Sequence, residues 1–268
     1  MTIETDKELF KVNVNKAWAG QTLWQLYQEA HTPWEWQPKL KGYAQSKGIL
    51  LFSSAFDETS IDLLEDKDAS LYKIASFEAG DVQFLQKIGG TRKPIVISRG
   101  LTPPEDVKLA ITTLQSAGSP AVAVLHCVSS YPATLDQMNI STVAEISKDF
   151  GVISGLSDHR LGIIASVAAV PFGACILEKH FTLKRDEGRV DATFSLEPEE
   201  MKQLVNMVRE VEKAIGKSTY EIGDKEKENI VFKRSIFVVK DIKAGEKFTA
   251  KNIRSIHPGY GLAPQAFI

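Results

Sequence analysis

Short apolar runs alternate with segments of helical periodicity between about residues 48 and 216. Six runs, at residues 49–54, 71–76, 94–98, 121–127, 151–155 and 174–178, are rich in Val, Ile and Leu on both faces. Strands that are apolar on both faces belong in a parallel sheet covered by helices. Their starts lie 22 to 30 residues apart, which is the rhythm of a repeated strand–helix unit. After Pro103 and Pro104, an apolar stripe of Val107, Leu109, Ala110, Leu114 and Ala117 predicts a helix that Gly118 stops. Pro198 opens another, with Met201, Leu204, Val205, Val208, Val211 and Ile215 on one face and Gly216 at its end.

No glycine-rich phosphate fingerprint follows an early strand, so the repeat favours a (β/α)8 TIM barrel over a doubly wound sheet. A barrel needs eight strands, and the pattern supplies six. Residues 22–48 read as one helix-like stretch and little else before residue 48 reads as a strand. The expectation is an α/β TIM barrel lacking its first two strands, with about 50 residues missing ahead of Met1. The barrel part would span residues 1–216, followed by a polar linker at 217–232. Residues 233–268 would begin a small β-rich domain that stops short, with a strand at 235–239, a turn at 240–245 and a new element from 248.

Composition narrows the class. Hydrophobic residues make up 43% and charged residues 25%, with a net charge of -2, so neither nucleic acid nor an anionic membrane is an expected partner. No apolar run approaches the ~20 residues of a membrane span, and the start, M-T-I-E-T-D-K, lacks a signal peptide's apolar core. Cys127 and Cys175 lie in apolar runs and read as reduced core residues. The expected location is cytoplasmic.

A TIM barrel builds its active site at the C-terminal ends of its strands. Those ends carry Ser53 and Ser54, then Lys73, Ser76 and Glu78, then Ser98 and Arg99. They continue with His126, Cys127, Ser129 and Tyr131, with Ser157, Asp158 and His159, and with Glu178, Lys179 and His180. Lys73, Ser76 and Glu78 are expected to share the interior face at the end of their strand. A buried lysine there needs an anion or a carboxylate. It could be a Lys–Glu pair that only holds the barrel, or, with the ring of serines, a phosphate cradle. His159 and His180 close consecutive strands. They could be structural, or could converge on one ion with a carboxylate such as Asp191 nearby, which suits a labile Mn2+ or Mg2+ better than closed zinc. His31 and His126 have no such partner and read as structural.

Several motifs resemble the sialic acid synthase family. They are K-I-x-S-x-E at 73–78, L-H-C-x-x-x-Y-P at 125–132, G-L-S-D-H at 155–159, L-E-K-H-F-T at 177–182 and S-L-E-P-E-E at 195–200. The tail from about Phe232 resembles the antifreeze-protein-like (SAF) domain that follows the barrel in that family. L-Y-Q-E-A-H-T-P-W-E-W-Q at 26–37 and V-D-A-T-F-S-L-E-P at 190–198 resemble its pseudaminic acid branch, although Trp34 and Trp36 could equally be packing residues.

The resemblance implies condensation of phosphoenolpyruvate with an amino-sugar aldehyde, 2,4-diacetamido-2,4,6-trideoxy-L-altrose in this branch. It implies that His159 and His180 hold Mn2+, or Mg2+ or Co2+. Lys73, Ser76, Ser98 and Ser157 would hold phosphoenolpyruvate, with Ser54 and Ser129 assisting. Glu78 would manage protons, and Tyr131 and Asp191 would face the sugar. A homodimer is implied in which the SAF domain reaches the partner's active site, where His257 stands in place of the family's usual arginine. The family's opening strands, with an E-I-G-x-N-H-N-G-like motif and then a lysine and glutamine, are not found in this sequence. An N-acetylneuraminate or legionaminate synthase, an inactive remnant, and a metal-dependent barrel aldolase or hydrolase are the competing readings.

Overall fold

Strand–helix alternation organises the chain from Tyr72 to Ile215. The computed structural model describes residues 5–13, 19–188 and 190–267, and two units divide between Ile215 and Gly216. Residues 1–4, on which the signal-peptide expectation partly rests, lie outside the described residues.

In the first unit the order is α1 (Leu23–Ala30), α2 (Gln37–Ser46), α3 (Glu58–Asp66), β1 (Tyr72–Ile74) and α4 (Val82–Gly89). Next come β2 (Ile95–Ser98), α5 (Pro104–Ala117), β3 (Val122–Cys127) and α6 (Thr142–Phe150). Then follow β4 (Ile153–Asp158), α7 (Ile164–Ala169), β5 (Ile176–Lys179) and α8 (Pro198–Ile215). The five strands form one curled, all-parallel sheet, a half-barrel, in the order β1-β2-β3-β4-β5. Neighbours in sequence are neighbours in space, and the order never reverses as it would in a doubly wound sheet. Every strand C-terminus therefore opens on the same rim.

Local chemistry explains the boundaries. The Asp57 carboxylate accepts from the Ser60 amide at 2.8 Å and starts α3, and Asp81 accepts from the Phe84 amide at 3.1 Å to start α4. Gly118 (φ 123°) and Gly151 (φ 64°) end α5 and α6 in conformations that disfavour a side chain. Ile74, Leu85, Ile88, Ile95, Ile97, Leu114 and Val124 pack into one core between sheet and helices. Each such side chain contributes about 1.5–3 kcal/mol on burial.

Several expectations need correction. Residues 49–54 make no strand. They reach β1 through a single parallel bridge, Ser54 to Lys73, and Ile49 and Leu50 stay exposed, so nothing apolar holds the segment flat. The other edge ends likewise, in one parallel bridge from Phe181 to Leu196. The helix expected over 22–48 is two helices, because Pro33 and Pro38 interrupt it. Trp34 and Trp36, on the turn between them, are half exposed and pack no core. The strand expected at 151–155 runs Ile153–Asp158, since Gly151 caps the preceding helix. Within α5, Ile111 is buried and Leu109 is half exposed. In α8 only Leu204 is buried, while Val205 and Ile215 are half exposed. Cys127 is buried, but Cys175 is exposed, because it precedes β5 rather than lying in it.

The second unit contains a helical turn, α9 (Asp224–Lys227), and an antiparallel pair, β6 (Ser235–Val238) with β7 (Ile253–Ile256). His257 follows β7, and its Nδ1 donates to the Phe232 carbonyl at 2.6 Å. Among the described residues no helix is long and apolar enough to cross a membrane.

Candidate active site

The rim of the sheet gathers a lysine, five serines, three carboxylates and two imidazoles. Lys73 lies on β1 and is almost wholly buried. Its Nζ donates to Ser98 Oγ at the end of β2 and to the Ile74 carbonyl, each at 2.9 Å. Burial lowers its pKa, and the Glu178 carboxylate 3.7 Å away works against that shift. Ser54 sits beside Lys73 through its bridge.

Ser76 and Glu78 are not on the strand, contrary to the expectation from the sequence; a continued strand would turn Ser76, three residues after Lys73, to the opposite face. β1 ends at Ile74, and residues 76–80 form a turn in which the Glu78 amide donates to the Ala75 carbonyl at 3.2 Å. The turn delivers both side chains to the rim by a different route. Ser76 Oγ shares a hydrogen bond of 2.9 Å with Ser129 Oγ, beyond β3. Gly100 makes that pair possible. A Cβ there would lie 2.3 Å from Ser76 Cβ and 2.4 Å from Ser129 Oγ. Burial raises the Glu78 pKa, and its Oε2 is buried without a hydrogen-bond partner among the described residues.

On β4, Ser157 Oγ donates to Glu178 Oε1 at 2.5 Å and lies 3.2 Å from His159 Nε2. His159 Nδ1 donates to the Val128 carbonyl at 3.1 Å. That bond fixes a tautomer with its lone pair on Nε2. Burial, followed by the charge of His180, lowers the His159 pKa to about 4. His180 is lowered mainly by burial as well, although Asp191, 3.6 Å from its Nδ1, pulls the other way. Burial raises the Asp191 pKa, and Asp191 Oδ1 is buried without a hydrogen-bond partner among the described residues. The ring centroids of His159 and His180 are 5.3 Å apart. Tyr131 stacks on His159 at 4.4 Å and 23°, and Phe194 closes the far side of His180 at 5.0 Å.

The structure thus brings together Lys73, Ser98, Ser157, His159, His180, Tyr131 and Asp191, with Ser76 and Ser129 as a linked pair. No group of three or more His, Cys, Asp or Glu side chains poised for a metal occurs among the described residues. An ion here would take two imidazoles and complete its shell with water or substrate oxygens. The sequence places Glu178 at a strand end but assigns it no role; in the structure it links Lys73 to Ser157 and so joins the serine cradle to the imidazoles. The β4–β5 register makes the link, pairing Ser157 with Glu178, two residues before His180. His126 and His31 are structural, with ring nitrogens bonded to the Met138 and Gln28 carbonyls at 2.7 and 2.9 Å.

Comparison with known proteins matches residues 2–220 to the NeuB family. A pseudaminic acid synthase of Campylobacter jejuni subsp. jejuni serotype O:2 is 37% identical over 267 residues, covering 100% of this chain and 78% of the relative. The same organism's N,N'-diacetyllegionaminic acid synthase is 33% identical over 228 residues, covering 84% and 68%. The crystal structure of N-acetylneuraminic acid (sialic acid) synthetase from Leptospira borgpetersenii serovar Hardjo-bovis superposes with a TM-score of 0.72 at 30% identity, covering 77% of this chain and 72% of that one.

Proposed function

This chain belongs to the NeuB family, and we propose that it is a transferase condensing phosphoenolpyruvate with 2,4-diacetamido-2,4,6-trideoxy-L-altrose to pseudaminic acid and phosphate. The observation that carries the reading is the continuous rim from Lys73 and Ser98 through Glu178 and Ser157 to His159 and His180.

Phosphoenolpyruvate carries a carboxylate and a phosphate, and the Lys73 ammonium with the hydroxyls of Ser54, Ser76, Ser98, Ser129 and Ser157 can hold both. Its C3 bonds to the sugar's aldehyde carbon, water adds at C2, and the C2–O bond to phosphate breaks. Fixed donors around the departing phosphate stabilise its charge without reorganising. Glu78, held toward its neutral form by burial, can give and recover a proton at the reacting carbons. Tyr131 and Asp191 border the imidazoles on the side left for the sugar.

The donor set fits a divalent cation, Mn2+ in our reading, with Mg2+ and Co2+ as alternatives. Both imidazoles are held neutral by burial, and a backbone acceptor on His159 Nδ1 is the usual support for a ligating Nε2. Such an ion supplies Lewis acidity toward the aldehyde oxygen. We further read the half-barrel as part of a (β/α)8 barrel, the second unit as an SAF domain, the working form as a homodimer whose SAF domain reaches the partner's site, and the location as cytoplasmic.

The deciding assay is phosphate release from phosphoenolpyruvate by the 268-residue chain with Mn2+ and the altrose substrate. Sugar-dependent release that His180→Ala abolishes supports the reading. Release with the legionaminic or N-acetylneuraminic precursor instead assigns the other branch, which the 33% identical legionaminic relative keeps in view. No release with any sugar from folded chain marks an inactive relative.

A further inference from the structure

His159 and His180 each follow, by one residue, a member of a buried ion pair that the rim chemistry does not use. The β4–β5 register sets Asp158 opposite Lys179. Lys179 Nζ lies 3.1 Å from Asp158 Oδ2, with both side chains almost completely inaccessible. Alternation along each strand turns these two side chains away from the rim, because Ser157 and His159 share the other face. Asp158 confirms the direction: its Oδ2 accepts from Ser166 Oγ on α7 at 2.8 Å. Its Oδ1 accepts from the Arg160 amide at 2.9 Å. Lys179 also donates to the Gly162 carbonyl at 3.0 Å and to the Arg160 carbonyl. Each charged group is satisfied: Lys179 ties β5 to Asp158 and to the backbone just beyond His159, and Asp158 ties the end of β4 to that backbone and to α7.

A buried ion pair is a poor way to gain stability, since apolar side chains of similar volume usually serve as well. What it does supply is a fixed relation between two strand ends, which apolar packing leaves softer. We propose that the Asp158–Lys179 pair is a positioning clasp that sets, from behind the sheet, the separation and orientation of His159 and His180. The two are positioning residues, since neither touches the space where substrate would lie. The assignment rests on the two-histidine reading only for the ion. The geometry of the imidazoles can be read without one.

The test uses the full chain carrying Asp158→Asn with Lys179→Gln, which removes both charges together and keeps hydrogen-bonding shapes. Metal-free protein labelled with 15N-histidine is examined by ring 15N–1H correlation, then titrated with Mn2+, and its melting is followed in parallel. The clasp predicts that His159 loses its fixed Nδ1–H signature and that Mn2+ binds at least about tenfold more weakly, as for outer-sphere changes at other sites. An unchanged histidine spectrum with a lowered melting temperature overturns it and leaves a purely structural pair. Ser166→Ala, which removes one bond and no charge, covers the case in which the double variant does not fold. It should shift the His159 ring signals in the same direction by less, and no shift overturns the proposal. Wild-type protein that binds no Mn2+ defeats the metal reading, while the histidine spectra still decide the clasp.

Discussion

His159 shows how one side chain links the chemistry of the rim to the stability of the protein. Burial holds its pKa near 4, against about 6.5 for an unfolded histidine. Between those values the unfolded chain binds a proton that the native site refuses, so stability falls as pH drops from about 6.5 and levels off below about 4. The full effect is about 3 kcal/mol in metal-free protein. Urea midpoints at pH 7 and pH 4.5 should therefore diverge, and His159→Gln should narrow the gap. An unchanged gap would show that the ring titrates normally. Lys73 supports a second prediction of the opposite kind. Lys73→Met removes a desolvated ammonium while keeping its length, and Glu178, more than a third exposed, can turn to water, so the chain should still fold. Phosphate release should nevertheless fall about 10²–10³-fold, as for loss of one fixed transition-state donor. A melting temperature that collapses with activity would assign Lys73 to the fold instead. Lys73, Ser98 and His159 were legible because each lies within or close behind an apolar run. Glu178 was not, because its meaning depends on which β4 residue lies opposite, and register is invisible in a single sequence.

The elements were legible where apolar residues repeat on both faces and less so where a turn decides the geometry. β2 and β3 lie within the expected runs because Ile95, Ile97, Val122 and Val124 are buried between layers. Ser76 and Glu78 were placed on a strand because the apolar run was expected to carry on past Ile74, whereas a turn leading to the Asp81 cap takes over and brings them to the face of Lys73. The 49–54 segment is apolar enough for a strand, yet a strand needs ladder partners as well as composition, and it has one bridge. Glycines mark where elements approach too closely for any side chain. At Gly155 on β4 a Cβ would stand 2.2 Å from the Ile176 carbonyl oxygen on β5. Gly155→Ala must push β4 and β5 apart, costing about 1–3 kcal/mol and disturbing the strands that carry Ser157, Glu178 and both histidines. Gly100→Ala meets Ser76 Cβ and Ser129 Oγ in a backbone conformation (φ 39°) that disfavours a side chain, so it should destabilise as well, and by parting that serine pair it should weaken phosphoenolpyruvate binding. Chemical denaturation of the two variants beside their phosphoenolpyruvate affinities checks both effects, and a Gly100→Ala chain with unchanged affinity would refute the role of the pair.

At the scale of the whole molecule, every rim residue belongs to the unit that ends at Ile215. The sheet joins Lys73 to His180 through four successive parallel pairings, and the Lys73–Glu178 contact spans it directly. A ligand held by Lys73, Ser98 and Ser157 therefore braces three strands at once, and its binding energy becomes folding energy of that unit. At a phosphoenolpyruvate concentration a hundred times its dissociation constant the gain is about 2.7 kcal/mol. Hydrogen exchange should locate it. Amides of β1–β5 should exchange more slowly with phosphoenolpyruvate, and amides of Ser235–Val238 and Ile253–Ile256 should not. Lys73→Met should abolish the protection at every strand together, because the contact that begins the rim is gone. If the sheet did not act as one body, protection would be confined to β1 and β2, where Lys73 and Ser98 meet. The homodimer reading separates from this through the sugar. Protection around His257 that appears only with both substrates, and fades on dilution, is what a second unit reaching a partner's site requires. Its absence at every concentration would confine the chemistry to a single chain.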